Sequence, residues 1–173
     1  TINITIDVVG DAFLTSSPAP LCTEYRTPDL DAVIGIINRA QKSISVEVMD
    51  YSPTTLYQNP NIYWPYIDDA LREAAYRGVS VRLLASLWNY TNPQQIAHLQ
   101  SLMIGAAPNV TVQVMIIPDY GPVYLPFTRV NHAKFMVTES EVLISTSNWT
   151  GDYFINTGGV SFVSNQTEIV QQV

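Results

Sequence analysis

Between residues 27 and 117 the chain switches repeatedly between a helical and an extended hydrophobic period, and this restricts it to an α/β fold in which helices cover a sheet. Thr27 is placed to cap a first helix and Pro28 suits its first position. Asp29 and Asp31 favour its positive end, and Leu30, Val33, Ile34 and Ile37 share one face. Residues 43–49 read as a buried strand. A second helix over 65–77 stops at Gly78 and is followed by a strand over 79–84. A third helix over 93–104 precedes a strand over 110–117. Residues 2–9 alternate like a strand, whereas 10–27, rich in Ser, Pro and Thr, read as a connecting loop. Such alternation predicts a single lobe with a mostly parallel sheet and helices on both faces. With 173 residues, 47% of them apolar, the chain is long enough to bury a core. It contains no internal repeat and no low-complexity tract.

Phosphate chemistry concentrates in the run Val130-Asn131-His132-Ala133-Lys134-Phe135-Met136-Val137-Thr138-Glu139 and in Ser145-Thr146-Ser147-Asn148. His132 and Lys134 are two apart, so in an extended strand they project from one face while Ala133 and Phe135 turn the other way. Residues 141–145 read as a second strand, and a tight return through 139–141 brings Asn148 back beside His132. An imidazole, an ammonium and an amide then converge on one anion. Residues 118–127, with three prolines and two tyrosines, form a loop leading into this strand, and loops at a sheet end often line sites.

This pattern resembles the His-x-Lys signature of the phospholipase D superfamily. There the lysine is followed by an acidic residue and a Gly-Ser-x-Asn-like segment. Glu139 stands where the family usually has aspartate, and Ser145-Thr146 where it usually has glycine and serine. Arg129 to Glu139, Thr146 to Phe154, Pro20-Leu-Cys22, Arg26 to Leu30 and Trp64 to Arg72 are similar to the branch that holds the animal lysosomal exonucleases, family members three and four. The resemblance implies a phospholipase D-like α-β-α sandwich and the C-terminal half of a two-lobed enzyme. It further implies that two half-motifs meet, one histidine attacking phosphorus while the other protonates the leaving oxygen. The covalent phosphohistidine is then hydrolysed, the second histidine acting as base toward water.

Residue by residue, the resemblance makes His132 nucleophile or general acid, Lys134 and Asn148 phosphate ligands that stabilise the five-coordinate transition state, and Glu139 a supporting or merely bracing carboxylate. No metal or other cofactor is required. Thr146 and Ser147 offer hydroxyls to phosphate or bond local backbone. Trp88 and Tyr120, with Tyr51, Tyr63 and Trp64, are candidates to stack on bases or to pack in the core. His98 reads as a plain helix position and Arg72 and Arg77 as a solvated face. The missing half-site must come from an N-terminal lobe or from a second chain in a dimer.

Five Asn-x-Thr sequons begin at Asn3, Asn89, Asn109, Asn148 and Asn165. They predict a glycoprotein of the secretory pathway, in the lysosome lumen or secreted, with glycans at Asn3, Asn89, Asn109 and Asn165 and none at the phosphate ligand Asn148. Cys22, the single cysteine, predicts a disulfide to a segment outside this sequence, or else a buried thiol. The chain opens at Thr1 without a methionine, a basic–apolar leader or an apolar run of membrane-spanning length, and reads as a segment processed or excised from a longer precursor. Its formal charge of −7 rules out a broad basic nucleic-acid clamp and predicts that any polynucleotide is held near one end at a few subsites. The branch resemblance implies 5′-to-3′ digestion of single-stranded DNA or RNA to nucleoside 3′-phosphates. A phospholipid hydrolase or transphosphatidylase, or a catalytically silent glycoprotein of the same fold, are the alternatives.

Overall fold

The computed structural model describes residues 10–106, 108–118, 121 and 125–173, so the expected strand over 2–9, Asn3 and Tyr120 lie outside the described residues. Eight strands form one sheet: β1 (Ala12–Ser17), β2 (Thr27–Pro28), β3 (Ser43–Val48), β4 (Ser80–Ser86), β5 (Val110–Met115), β6 (Lys134–Thr138), β7 (Val142–Ser145) and β8 (Gly159–Ser164). Their spatial order is β2-β1-β8-β7-β6-β3-β4-β5. Three longer helices, α1 (Asp29–Arg39), α2 (Tyr66–Tyr76) and α3 (Gln95–Gly105), are joined by the short α4 (Gly151–Ile155) and α5 (Thr167–Val170).

The α/β class read from the sequence stands, but the sheet is mixed rather than mostly parallel. β3, β4 and β5 run parallel because helical crossovers join them. β6, β7 and β8 follow one another antiparallel, with β6 also antiparallel to β3. The tight return at 139–141 leaves room for nothing else. The stretch expected to be a loop contributes β1, paired antiparallel with β8 from Ala12↔Ser164 to Ser17↔Gly159, and β2, whose Thr27 and Pro28 pair with Thr15 and Ser16. Thr27 and Pro28 are therefore extended, and α1 begins at Asp29, whose carboxylate accepts the Thr15 hydroxyl.

Alternation sets the two faces. Ile44, Val46 and Val48, with Val81, Leu83 and Ala85, are buried and carry the core with Val33, Ile36 and Ile37 of α1 and Leu71 and Ala74 of α2. On the other face, Ser45, Arg82, Phe135 and Val137 line a depression closed by Val170 of α5 and by Val173. Gly78, at φ 93°, ends α2 in the left-handed region, and its N–H donates to Ala75 O at 3.0 Å.

Candidate active site

Antiparallel return of β6 and β7 against β3 brings the chemistry-bearing residues to one edge of the sheet. The register Val48↔Lys134 puts the start of β6 at the C-terminal end of β3, and β7 returns to that edge at Ser145. Ligand sites of α/β sheets form at such strand ends, where side chains project beyond the hydrogen-bonded ladder. Lys134 is the first residue of β6, so His132 precedes the strand instead of lying within it as expected. It is exposed, while Lys134 is buried and its Nζ donates to the His132 carbonyl at 2.7 Å.

The loop before His132 is tied down from two sides. Ser86, the last residue of β4, donates its hydroxyl to the Asn131 carbonyl, and Asn131 Nδ2 donates to Glu47 Oε1. Gln95 of α3 holds the same edge from behind: its Oε1 accepts Tyr51 N–H at 3.1 Å and its Nε2 donates to Ser86 O at 2.8 Å. Buried Tyr51 donates its hydroxyl to Asp68, which also accepts Arg72 Nε at 2.6 Å. Tyr51 is therefore a core residue. Arg72 is an ion-pair partner, and Arg77 Nη2 donates to Ile37 O at 2.9 Å, so neither arginine is merely a solvated face.

Asn148, fully buried, follows β7 and meets Asp50, the second residue after β3. Asn148 Nδ2 donates to Asp50 Oδ2 at 2.9 Å, and Asp50 N donates to Asn148 Oδ1 at 3.3 Å. Backbone bonds from Trp149 N to Asp50 O at 3.0 Å and from Ser52 N to Trp149 O at 2.9 Å continue the pairing. Asp50 is a candidate site residue that the sequence reading missed. The available signal was a carboxylate directly after the apolar run of a strand whose C-terminal end forms a site.

Charges at this edge perturb one another. Burial pushes Lys134 down to about 8, with Asp50 opposing the shift. Burial raises the Asp50 carboxyl, and Lys134 pulls it back. His132 is lowered by burial and then by the Lys134 charge, which keeps its imidazole neutral to lower pH. An ammonium and an amide beside an accessible imidazole suit a phosphate whose charge rises as phosphorus becomes five-coordinate. Among the described residues no group of three or more His, Cys, Asp and Glu side chains is placed to hold a metal.

Glu139 does not join this edge. It follows β6 at the opposite end, about 17 Å of extended chain from Lys134. Its carboxylate accepts the backbone N–H groups of Gln41, Lys42 and Ser43 at 2.7, 3.3 and 3.2 Å, bracing the entry to β3. Thr146 Oγ1 bonds backbone, accepting Val160 N–H at 3.0 Å and donating to Val160 O at 3.3 Å. The buried Ser147 hydroxyl has no hydrogen-bond partner among the described residues. A Cβ at Gly159 would stand 2.6 Å from that hydroxyl and 2.7 Å from the Ser17 hydroxyl, so a larger residue there would displace both. His98 is not a plain helix position, since its Nδ1 lies 3.1 Å from the Ser52 hydroxyl.

Half-buried Trp88 packs edge-on against Tyr90 with centroids 4.9 Å apart, and Tyr90 stacks on Phe127 at 4.6 Å and 18°. Phe127 and Arg129 hold φ of 58° and 62°, a region rare for such side chains and frequent at functional sites. Tyr90 and Phe127 were missed because a tertiary stack joins residues far apart in sequence. Trp64, by contrast, is buried on Phe154 at 5.3 Å, while Tyr63 is exposed. Asn89 and Asn165 are exposed, and Asn109 is half-buried with Nδ2 donating to Ala75 O. Cys22 carries a free thiol that donates to Arg26 O at 2.9 Å and accepts from Ser16 Oγ at 3.2 Å.

Comparisons with known proteins agree on this architecture. NucT from Helicobacter pylori superposes with a TM-score of 0.67 at 19% identity, covering 94% of this chain and 90% of that one. Nuc, a phospholipase D family member from Salmonella typhimurium, gives 0.66 at 18%, covering 94% and 88%. A family model described as "PLD3/4, PLD-like domain" matches residues 2–118. The chain belongs to the phospholipase D superfamily and, within it, to the PLD3/4 branch. Phospholipase D Y of Dictyostelium discoideum is 51% identical over 88% of this chain and 35% of its own length. The 5′-3′ exonuclease PLD4 of Mus musculus is 46% identical over 90% and 32%. The 5′-3′ exonuclease PLD3 of Homo sapiens is 44% identical over 90% and 33%. The chain thus spans about a third of the length of these relatives.

Proposed function

We propose that the chain is the C-terminal lobe of a phosphodiesterase working through a phosphohistidine, and that it degrades single-stranded DNA or RNA from a 5′ hydroxyl end. The observation that carries this reading is an accessible His132 two residues from a buried, shifted Lys134 on the edge where Asn148 arrives. In the first step a histidine nitrogen bonds phosphorus and the P–O bond to the leaving group breaks, the opposed histidine giving its proton to that oxygen. In the second, the opposed histidine takes a proton from water, the new hydroxide attacks, and the P–N bond breaks. His132 takes one of these two roles. The other requires a second His-x-Lys motif from an N-terminal lobe or a second copy.

Nucleic acid is favoured over phospholipid by the aromatic stack of Tyr90 and Phe127 beside the loop to His132, because a base has a flat face to lay on it. Relatives named 5′-3′ exonuclease support the direction. The sequons support a secretory or lysosomal glycoprotein, and among the described residues no helix is long and apolar enough to cross a membrane. Cys22 would reach a cysteine outside this sequence. Loss of Lys134 charge as pH rises through about 8 supports faster turnover in acid. Oligonucleotides labelled at either end, incubated with the assembled protein in excess chelator at pH 5 and 8, test the reading. Nucleoside 3′-phosphates released from the 5′ end, faster at pH 5, are expected. Loss of activity in chelator removes the phosphohistidine mechanism, and cleavage of phosphatidylcholine alone establishes the lipid alternative.

A further inference from the structure

We infer that Asp50 is the positioning residue for Asn148, its carboxylate and main-chain N–H fixing which end of the carboxamide faces the phosphate. This rests on the phosphate-site reading of Asn148 given above. An isolated carboxamide can present oxygen or nitrogen with little difference in shape, and only nitrogen can donate to a phosphate oxygen. The Asp50 carboxylate, when ionised, only accepts, so Nδ2 must turn toward it; the Asp50 N–H only donates, so Oδ1 must turn toward that. The reversed amide would set oxygen against carboxylate and N–H against N–H. One orientation is therefore imposed from both ends. Nδ2 has two hydrogens, and Asp50 uses one. The second is not used by Asp50, and because Asn148 is fully buried a non-bridging oxygen takes it only as the site edge opens around the substrate.

Burial makes the arrangement demanding. Asn148 is fully buried and Asp50 nearly so, so a misoriented amide finds no water to compensate. The clamp is built into the fold, because Asp50 O accepts Trp149 N–H and the two chain segments cannot shift separately. Charge adds a second consequence: the groups facing Asp50 are the Asn148 amide, the Lys134 ammonium and the Tyr57 hydroxyl, which the Asp50 charge helps to keep protonated, and the carboxylate holds Lys134 protonated to higher pH than burial alone would allow.

The test compares Asp50→Asn, Asp50→Ala and Asn148→Ala in the full-length protein, using kcat and KM for a single-stranded oligonucleotide, the pH profile, and thermal melting to verify folding. Asp50→Asn keeps an acceptor oxygen at the same place and should retain kcat within about threefold, whereas Asp50→Ala should lower it by about 10- to 100-fold with little change in KM. The double variant Asp50→Ala/Asn148→Ala should be no slower than Asn148→Ala. In Asp50→Asn the alkaline limb of activity should move to lower pH, since Lys134 loses its supporting charge. A folded Asp50→Ala with wild-type kcat overturns the proposal. So do additive losses in the double variant, or, should Asp50→Ala not fold, a folded Asp50→Asn whose kcat falls as far as that of Asn148→Ala. If Asn148→Ala itself keeps wild-type activity, the phosphate-ligand reading fails instead.

Discussion

Asn148 gives its side-chain N–H to the carboxylate of Asp50 across 98 residues of sequence, and both are buried. The pairing makes Asn148 sensitive to charge as well as to size. Asn148→Asp would put two carboxylates in hydrogen-bond contact inside the fold, where one must be protonated or the contact broken. A destabilisation of about 2–5 kcal/mol is expected at pH 7. It should shrink as the pH falls and one carboxyl takes a proton. Denaturant titrations at pH 7 and pH 4.5 check both statements.

His132→Ala should abolish turnover in the assembled protein without unfolding it, because the side chain is exposed. Lys134→Ala should cost about 3–4 kcal/mol of transition-state stabilisation, a drop of several hundredfold or more in kcat. Its ammonium also helps to depress His132, so in Lys134→Met the His132 titration should move up toward 6.5. Steady-state kinetics and NMR titration of the imidazole read the two effects. A His132→Ala protein with near wild-type turnover would refute the assignment.

Glu139→Gln should leave kcat within about twofold, because a charge about 17 Å along the chain from Lys134 acts on the reaction weakly. Its effect belongs in stability. Burial raises the Glu139 carboxyl, but the N–H groups of Gln41, Ser43 and Lys42 outweigh this and hold it below its ordinary 4.5. A depressed carboxyl contributes stability above its unfolded pKa and loses it as the pH falls through the lower folded value. The melting-temperature difference between wild type and Glu139→Gln should therefore be full at neutral pH and vanish in strong acid.

Phe127→Ala and Tyr90→Ala should each weaken binding of a single-stranded oligonucleotide by about 1–3 kcal/mol if a base lies on their stack. Replacing the terminal nucleotide by an abasic one should produce a similar loss in the wild type. Equal losses for normal and abasic strands in the two variants would remove the stacking role.

Glycans are expected at Asn89, Asn109 and Asn165, and at Asn3, but not at Asn148. Both Asn148 and Thr150 of that sequon are fully buried, and a hydrophilic sugar has no path out of the core. Peptide mapping after deglycosylation in isotopic water reads every sequon at once.

The three long helices, the strands between them and the grouping of His132 with Lys134 were legible in the sequence, because each depends on local period and spacing. The strands β1 and β8 were not. Ala12–Ser17 is rich in Ser and Thr, with no flanking helical pattern to frame it, and becomes a strand because β8 offers it a full antiparallel ladder. The place of Glu139 followed the same logic: sequence put it five residues from Lys134, but a strand carries five residues to the far edge of a sheet. Conversely, Asp50 and Asn148, or Tyr90 and Phe127, meet only after the strands are registered. Sequence by itself determined the family to which this chain belongs, the residues that carry its candidate chemistry and the class of fold that holds them. Tertiary structure decided which acid meets Asn148, since that depends on contacts between distant segments that no local pattern encodes.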